Sequence, residues 1–469
     1  MPIHDVESLL ARVADPAGDA ILDPATGDEV GRAPVRSVDD LDRAVANARL
    51  AQPAWAARAD EERVRLLNQA ADAVEANAAA LAELLSREQG KPLDGIGARF
   101  EVGGCAAWLR ATAGIELPGG PLQAGDDVRA EVRYRPVGVV GAIGPWNWPM
   151  LITIWQIAPA LRMGNTVVVK PSEYTPLSVL ALVEVLNEIF PDDVLTVVPG
   201  GGDIGARLTS HPDVGKIMFT GSTATGRAII RGSADGVKRL TLELGGNDAG
   251  IVLPDADPRA IAEGLFWGAF INTGQTCAAL KRLYVHADIY DEVCAALVEV
   301  AGRMPMGRGL DEGNVLGPLQ NRAQYDIVDG LVEAARESGA KILLGGDPDP
   351  KAPGYFYPTT LVGDIANDNP LVAEEQFGPA LPIIRYHDVE EAVLMANGLD
   401  VGLGASVWSA DPERAREVAA RLEAGTVWIN AHGMVNPLVP FGGVKTSGFG
   451  LEFGVEGLKG VALPQVLNG

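Results

Sequence analysis

Cysteine is scarce in this chain: Cys105, Cys277 and Cys294 are the three among 469 residues. So small and odd a set makes no disulfide framework, and no C-x-x-C or paired-histidine spacing marks a metal site. Positive charge is also short, with 38 Lys and Arg against 62 Asp and Glu, a formal net charge of −24. Such a surface repels nucleic acid and anionic lipid, whose phosphates must be neutralised by cations, so neither is expected as a partner. A local basic pocket for one small anionic cofactor remains allowed. Met1 to Asp15 lacks a basic start followed by an apolar run and carries Asp5, Glu7 and Asp15, so it does not read as a secretory signal. One uncharged stretch, Pro136–Leu161, is long enough to span a bilayer. Its internal Pro145, Pro149 and Pro159 break a single helix, and it reads as strand, turn and helix in a buried core. A soluble cytoplasmic enzyme is expected.

What is present is the composition of a globular protein, 47% hydrophobic and 21% charged, at a length that implies two or three domains. Residues 39 to about 110 carry helical spacing. Val128, Ala130, Val132 and Tyr134 then alternate with polar residues, which suggests a strand exposed on one side. From 137 to 244 apolar strands (137–143, 166–169, 194–198, 216–220, 239–244) alternate with helices (150–161, 176–190, near 204–210, 223–231). Such strands, separated by helices, form a parallel sheet covered on both faces, a doubly wound nucleotide-binding architecture. A second α/β series follows Gly245-Gly246, with strands near 250–253, 282–286, 341–344, 381–386, 405–408 and 426–430. The tail, Lys459–Val466, reads as a further strand.

Several motifs carry chemistry. Phe219-Thr-Gly-Ser-Thr-Ala-Thr-Gly226 ends a strand and opens a helix, where glycines and a helix N-terminus suit a phosphate. Alone, it is as well explained by a structural turn. Lys170-Pro-Ser-Glu173 lies at a strand's carboxyl end, where open α/β sheets bind ligands; Lys170 and Glu173 could hold ribose hydroxyls or form a solvated loop. Pro145-Trp-Asn-Trp-Pro149 fixes one amide side chain between two prolines, which suits an oxyanion donor or a cap for the next helix. Glu243, flanked by Leu242 and Leu244, is expected to be partly desolvated, with the raised pKa of a general base; the alternative is a carboxylate facing solvent. Asn272-Thr-Gly-Gln-Thr-Cys277 sets one cysteine on a polar loop, exposed enough to react. Cys105 and Cys294 sit among apolar residues as small hydrophobes. Glu375-Gln-Phe-Gly-Pro379 offers a carboxylate for sugar hydroxyls and an aromatic face for a flat ring.

In order along nearly the whole chain, PWNWP, KPSE, FTGSTATG, ELGGN, GQTC, EQFGP and PFGGVKTSGFG (Pro440–Gly450) resemble the aldehyde dehydrogenase superfamily, in its hydrolytic rather than its coenzyme A-acylating form. The resemblance implies two doubly wound α/β domains and a β oligomerisation arm. Residues 1–120 and 138–245 would form the cofactor domain and 246–445 the catalytic domain. The strand segment 121–137 and the tail 446–469 would form the arm of a homodimer or homotetramer. It implies Cys277 as nucleophile, Asn147 and the Cys277 backbone N–H as oxyanion hole, Glu243 as the base that hydrolyses the thioester, and Glu452 as a second acid in proton transfer. The cofactor would be NAD, with NADP possible. Lys170 and Glu173 would hold the adenine ribose, Gly221 and Ser222 the pyrophosphate, and Glu375 the nicotinamide ribose beside Phe377, with Trp146 and Gly245 along the site. Glu173 would repel a 2′-phosphate.

The resemblance also implies a substrate tunnel lined by Trp148, Ile152, Trp155, Thr276, Ala278, Met434, Val435 and Phe441. That set holds no Arg or Lys to pair with a carboxylate or phosphate, so a medium-sized apolar or aromatic aldehyde is expected. A cofactor-free thiol hydrolase or a catalytically retired structural member are the rival readings. The cofactor motifs oppose the first, and the presence of Cys277, Asn147 and Glu243 together opposes the second.

Overall fold

A computed structural model describes residues 5–123 and 129–468; Val128 of the alternating segment lies outside them. Two large sheets organise the chain. One has six strands in the order Gly448–Phe449, Arg239–Glu243, Val214–Thr220, Val139–Ile143, Thr166–Lys170, Leu195–Val197, all parallel except the first. Its central strands are buried along their whole length. With a period of two, Val140, Ala142, Val167 and Val169 pack into one core, and Val139, Ile143, Val168 and Ile217 into another on the opposite face. The sheet therefore needs helices on both sides.

The second sheet has seven strands: Lys341–Leu344, Thr360–Gly363, Ala380–Tyr386, Leu280–His286, Asp248–Val252, Gly404–Trp408 and Thr426–Ile429. Only Lys341–Leu344 runs antiparallel to its neighbour. Its two faces likewise divide between two cores. A third, three-stranded antiparallel sheet joins Ala462–Asn468, Arg129–Pro136 and Gly120–Gln123. Among the described residues no helix is long and apolar enough to cross a membrane.

The expected alternation of strands and helices from 137 to 430 is present, with ends shifted by a few residues. Two readings of the tail need correction. Lys459 belongs to a helix, Gly454–Gly460, and the strand begins at Ala462. Three glycines hid that helix, and one is a packing requirement: Gly454 has a φ of 56°, and a Cβ there would lie 2.8 Å from the Leu438 carbonyl oxygen. Nor does 446–453 run with the tail, because Gly448–Phe449 pairs with Leu242–Glu243 at the edge of the six-stranded sheet. The helix Val6–Val13 and the hairpin Asp19–Leu22/Glu29–Ala33 were not anticipated.

Two helices that begin with proline, Pro149–Arg162 and Pro176–Asn187, have no side-chain cap of their own. Buried glutamates from elsewhere serve instead. Glu88 accepts from Leu177 N (2.6 Å) and Ser178 N (2.9 Å), and Glu101 from Met150 N (2.9 Å) and Leu151 N (3.1 Å). The alternative role for Asn147, capping Pro149–Arg162, is thus taken by Glu101. Replacing Glu88 with Ala leaves two buried N–H groups unpaired and is expected to destabilise the fold by about 2–4 kcal/mol, read as a lower denaturant midpoint. An unchanged midpoint would show that the cap contributes nothing.

Candidate functional site

In the six-stranded sheet the chain first lays down Val139–Ile143, builds outward through Thr166–Lys170 and Leu195–Val197, then returns to the other side with Val214–Thr220. Order reverses between Val139–Ile143 and Val214–Thr220, and in open α/β sheets the crevice at that point binds ligands. A cleft of about 620 Å3 opens there, onto which Asn147, Lys170, Ser222, Glu243, Cys277 and Glu375 all face. Trp146, Glu173, Gly221, Gly245 and Phe377 line it as well.

The Cys277 loop leaves helix Pro258–Phe270 through three successive positive φ values, at Asn272 (51°), Thr273 (58°) and Gly274 (76°). A Cβ at Gly274 would lie 2.2 Å from the Gly378 carbonyl oxygen, so only glycine fits against the Glu375–Pro379 segment. Asn147 is laced to this loop. Its Nδ2 donates to the Gln275 carbonyl (2.9 Å), and its own carbonyl accepts from Asn272 Nδ2 (2.9 Å). Trp148 Nε1 donates to Thr276 Oγ1 (2.9 Å).

Cys277 is only partly exposed, less than its polar loop suggests. Burial pushes its thiol up to about 12; Lys281 acts against that, and Glu243, Glu375 and Asp248 reinforce it. Lys281, unnoticed in the sequence, has its Nζ on the carbonyls of Thr276 (2.9 Å) and Cys277 and 3.1 Å from Glu375 Oε1. Glu375 also accepts from Gly246 N (3.2 Å), and burial raises its pKa. A Cβ on Gly245 would lie 2.5 Å from its Oε2, so the glycine makes room for the carboxylate.

Glu243 ends its strand 4% exposed, with neither carboxylate oxygen hydrogen-bonded among the described residues. Burial, and then the charge of Glu452, raise its pKa well above the usual carboxylate range. The solvent-facing alternative is not realised. Glu452 is 2% exposed; burial pushes it up to about 8 against the opposing charge of Lys216. Lys216, also missed in the sequence, is itself pulled down by burial to about 7 and donates to Thr241 Oγ1 (2.7 Å).

On the cofactor side Lys170 Nζ lies 3.4 Å from Glu173 Oε2, with the lysine buried and the glutamate exposed. Ser222 caps helix Thr223–Ser233 by accepting from Thr225 N (3.2 Å). Phe377 stands edge-on to Trp146 at 5.4 Å. At Gly205, farther along the cleft, an added Cβ would meet nothing within 4 Å. The donors, the glycine-lined slot and the carboxylates suit the sugars and phosphates of a dinucleotide.

Of the tunnel residues, Ala278, Phe441, Trp155 and Val435 gather with Cys277 in one apolar cluster. The cluster adds Phe453, Trp108, Trp428 and Leu403, none of which the sequence singled out. Trp148 and Thr276 flank it through their mutual hydrogen bond, and Ile152 is buried outside it. Met434 does not belong: its side chain is 73% exposed, while its carbonyl accepts from Trp428 Nε1 (2.7 Å).

Residues 15–465 match the sequence model of the aldehyde dehydrogenase family. Phenylacetaldehyde dehydrogenase of Pseudomonas fluorescens is 41% identical over 452 residues, 94% of this chain and 90% of that relative. The NAD+ complex structure of an aldehyde dehydrogenase from Bacillus cereus superposes with a TM-score of 0.92 at 36% identity, over 96% of this chain and 92% of that one. An E. coli NADP-dependent enzyme gives 0.93 at 35% identity, over 97% and 96%. Matched over nearly its whole length, the chain belongs to the aldehyde dehydrogenase family and is an NAD(P)-dependent oxidoreductase that oxidises aldehydes.

Proposed function

We propose that the protein converts a medium-sized apolar or aromatic aldehyde to its carboxylic acid with NAD, through a thioester on Cys277. The reading rests on one observation: Cys277, Asn147 and Glu243 open onto the same cleft, and neither oxygen of Glu243 has a partner. Cys277 Sγ, its proton passing to water in the cleft, attacks the aldehyde carbon. Asn147 Nδ2 and the Cys277 backbone N–H stabilise the oxyanion that forms. A nicotinamide held beside Phe377 and Glu375 would supply the hydride acceptor needed to oxidise this adduct to a thioester on Cys277. Glu243 then takes a proton from water as its oxygen adds to the thioester carbonyl, and the adduct expels the Cys277 thiolate and releases the acid. Glu452 receives the proton onward from Glu243.

Lys170 and Glu173 would grip the adenine ribose, Gly221 and Ser222 the pyrophosphate, and Glu375 the nicotinamide ribose. The Glu173 carboxylate repels a 2′-phosphate, which supports NAD over NADP. The aromatic cluster around Cys277 supports an apolar or aryl substrate, and the phenylacetaldehyde-oxidising relative agrees. Val466 and Leu467, 60% and 40% exposed on the edge strand Ala462–Asn468, support assembly with further copies through the three-stranded sheet, to be read by light scattering.

NADH formation from NAD and a panel of aldehydes is expected with the wild type and absent from Cys277→Ala; no NADH or NADPH from any aldehyde would overturn the reading. Glu243→Gln should release about one NADH per site and then stall, with steady turnover down about 100-fold or more. Because a raised carboxyl is protonated as pH falls, wild-type deacylation should slow on the acid side, and Glu243→Gln should lose that dependence. With the thiol at about 12, iodoacetamide inactivation of the cofactor-free enzyme should rise about tenfold per pH unit between pH 7 and 9. A plateau in that range would mean that another group lowers the thiol.

A further inference from the structure

Lys91 and Glu101 form an ion pair (2.5 Å) with both side chains at 0% exposure, between the helices Ala78–Gln89 and Ala98–Gly114. Neither residue lines the cleft. Removing two charges from water is costly, and a buried pair is often no better for stability than apolar residues of the same volume. Its value here lies in what it touches. Glu101 uses Oε1 to accept from Met150 N and Leu151 N, fixing the start of helix Pro149–Arg162, and Oε2 to hold Lys91. Lys91 Nζ donates to the Asn147 carbonyl (2.8 Å), the same oxygen that accepts from Asn272. It also lies over the Trp148 ring, 3.7 Å from its centroid. The two residues that bridge to the nucleophile loop, Asn147 and Trp148, are thus both held from behind by one ammonium.

We propose that the Lys91–Glu101 pair is the positioning element that sets Asn147 against the Cys277 loop, so that the oxyanion donor is aimed by an ion pair outside the cleft. This rests on the reading of Asn147 as that donor. With its carbonyl pinned from both sides, the Asn147 peptide cannot rotate, and its Nδ2 keeps its aim. Loss of the ammonium frees the peptide, and a displacement of about 1 Å at a reacting centre costs up to about 100-fold in rate.

The test is the rate of the NADH burst in single turnover. Lys91→Met/Glu101→Gln removes both charges together, retains an acceptor for Met150 N and Leu151 N, and leaves no lone buried ion. It is expected to bind NAD within about twofold of wild type and to lose about 10–100-fold in burst rate. In an Asn147→Ala background the same pair of changes should cost no more than about twofold, because the group being aimed is gone. A wild-type burst in the neutral pair, or a loss that multiplies in the Asn147→Ala background, would overturn the proposal. A wild-type burst in Asn147→Ala itself would sink the oxyanion reading and this proposal with it. Glu101→Asp, which keeps both charges and shortens the reach, provides a second reading should the neutral pair not fold: a partial loss of burst rate supports the proposal, and a wild-type rate overturns it.

Discussion

Asn272, Thr273 and Gly274 turn the chain out of helix Pro258–Phe270 with three positive φ values in a row, and Cys277 reaches the cleft only by way of that turn. For Thr273 this backbone costs of order 1–3 kcal/mol, and it persists because its surroundings over-determine it. Thr273 Oγ1 is hydrogen-bonded to both the carbonyl and the N–H of Gly317, at 3.1 and 3.0 Å. Asn272 is tied to Asn147, and Gly274 is pressed against Gly378. Each restraint comes from a different part of the chain. The Cys277 loop, the Asn147 turn and the Glu375 segment therefore hold one another in place, and the cleft is the space they leave against the six-stranded sheet.

The way the helices are capped follows the same logic. A proline at the first helical position supplies no N–H, but the N–H groups after it still need acceptors. Trp148 at the N-cap of Pro149–Arg162 has no acceptor to offer, and Thr175 at that of Pro176–Asn187 turns its hydroxyl to the Trp146 carbonyl, so Glu88 and Glu101 bring carboxylates in from neighbouring helices. Glu101 then requires a counter-charge, and Lys91 provides it. One unmet local need is thus propagated inward until it reaches Asn147.

Electrostatics in the interior run opposite to those of the surface. On a chain of net charge −24, the exposed acids are solvated and cheap, whereas burial raises the pKa of Glu88, Glu243, Glu375 and Glu452. Glu243 and Glu452 raise each other's difficulty in ionising, and Lys216 eases it for Glu452. Lys281 does the same for Cys277 and Glu375. Two buried ammonium groups therefore share the work of keeping three acidic groups within reach of ionisation.

Much of this was legible in the amino-acid order. Runs such as Val139–Ile143 and Thr166–Lys170 are apolar throughout, so burial on both faces was already determined, and with it a parallel sheet between helices. Glu243 between two leucines announced its own desolvation, and Cys277 stood apart from the two cysteines in apolar helices. What local pattern could not encode are partners far apart in the chain. Asn147 meets Gln275 across 128 positions, and Glu101 meets Met150 across 49. Lys91, Lys216 and Lys281 read as ordinary lysines until packing removes water and leaves each facing a carboxylate or a carbonyl. The helix Gly454–Gly460 was hidden for a related reason: its glycines have poor intrinsic propensity, and only the positive φ and the close Leu438 carbonyl at Gly454 make one of them necessary. The sequence by itself determined the alternating strands and helices of the two large sheets and the order of the motifs. The tertiary structure decided which charges neutralise which, because a side chain's solvation is set by neighbours that sequence distance does not reveal.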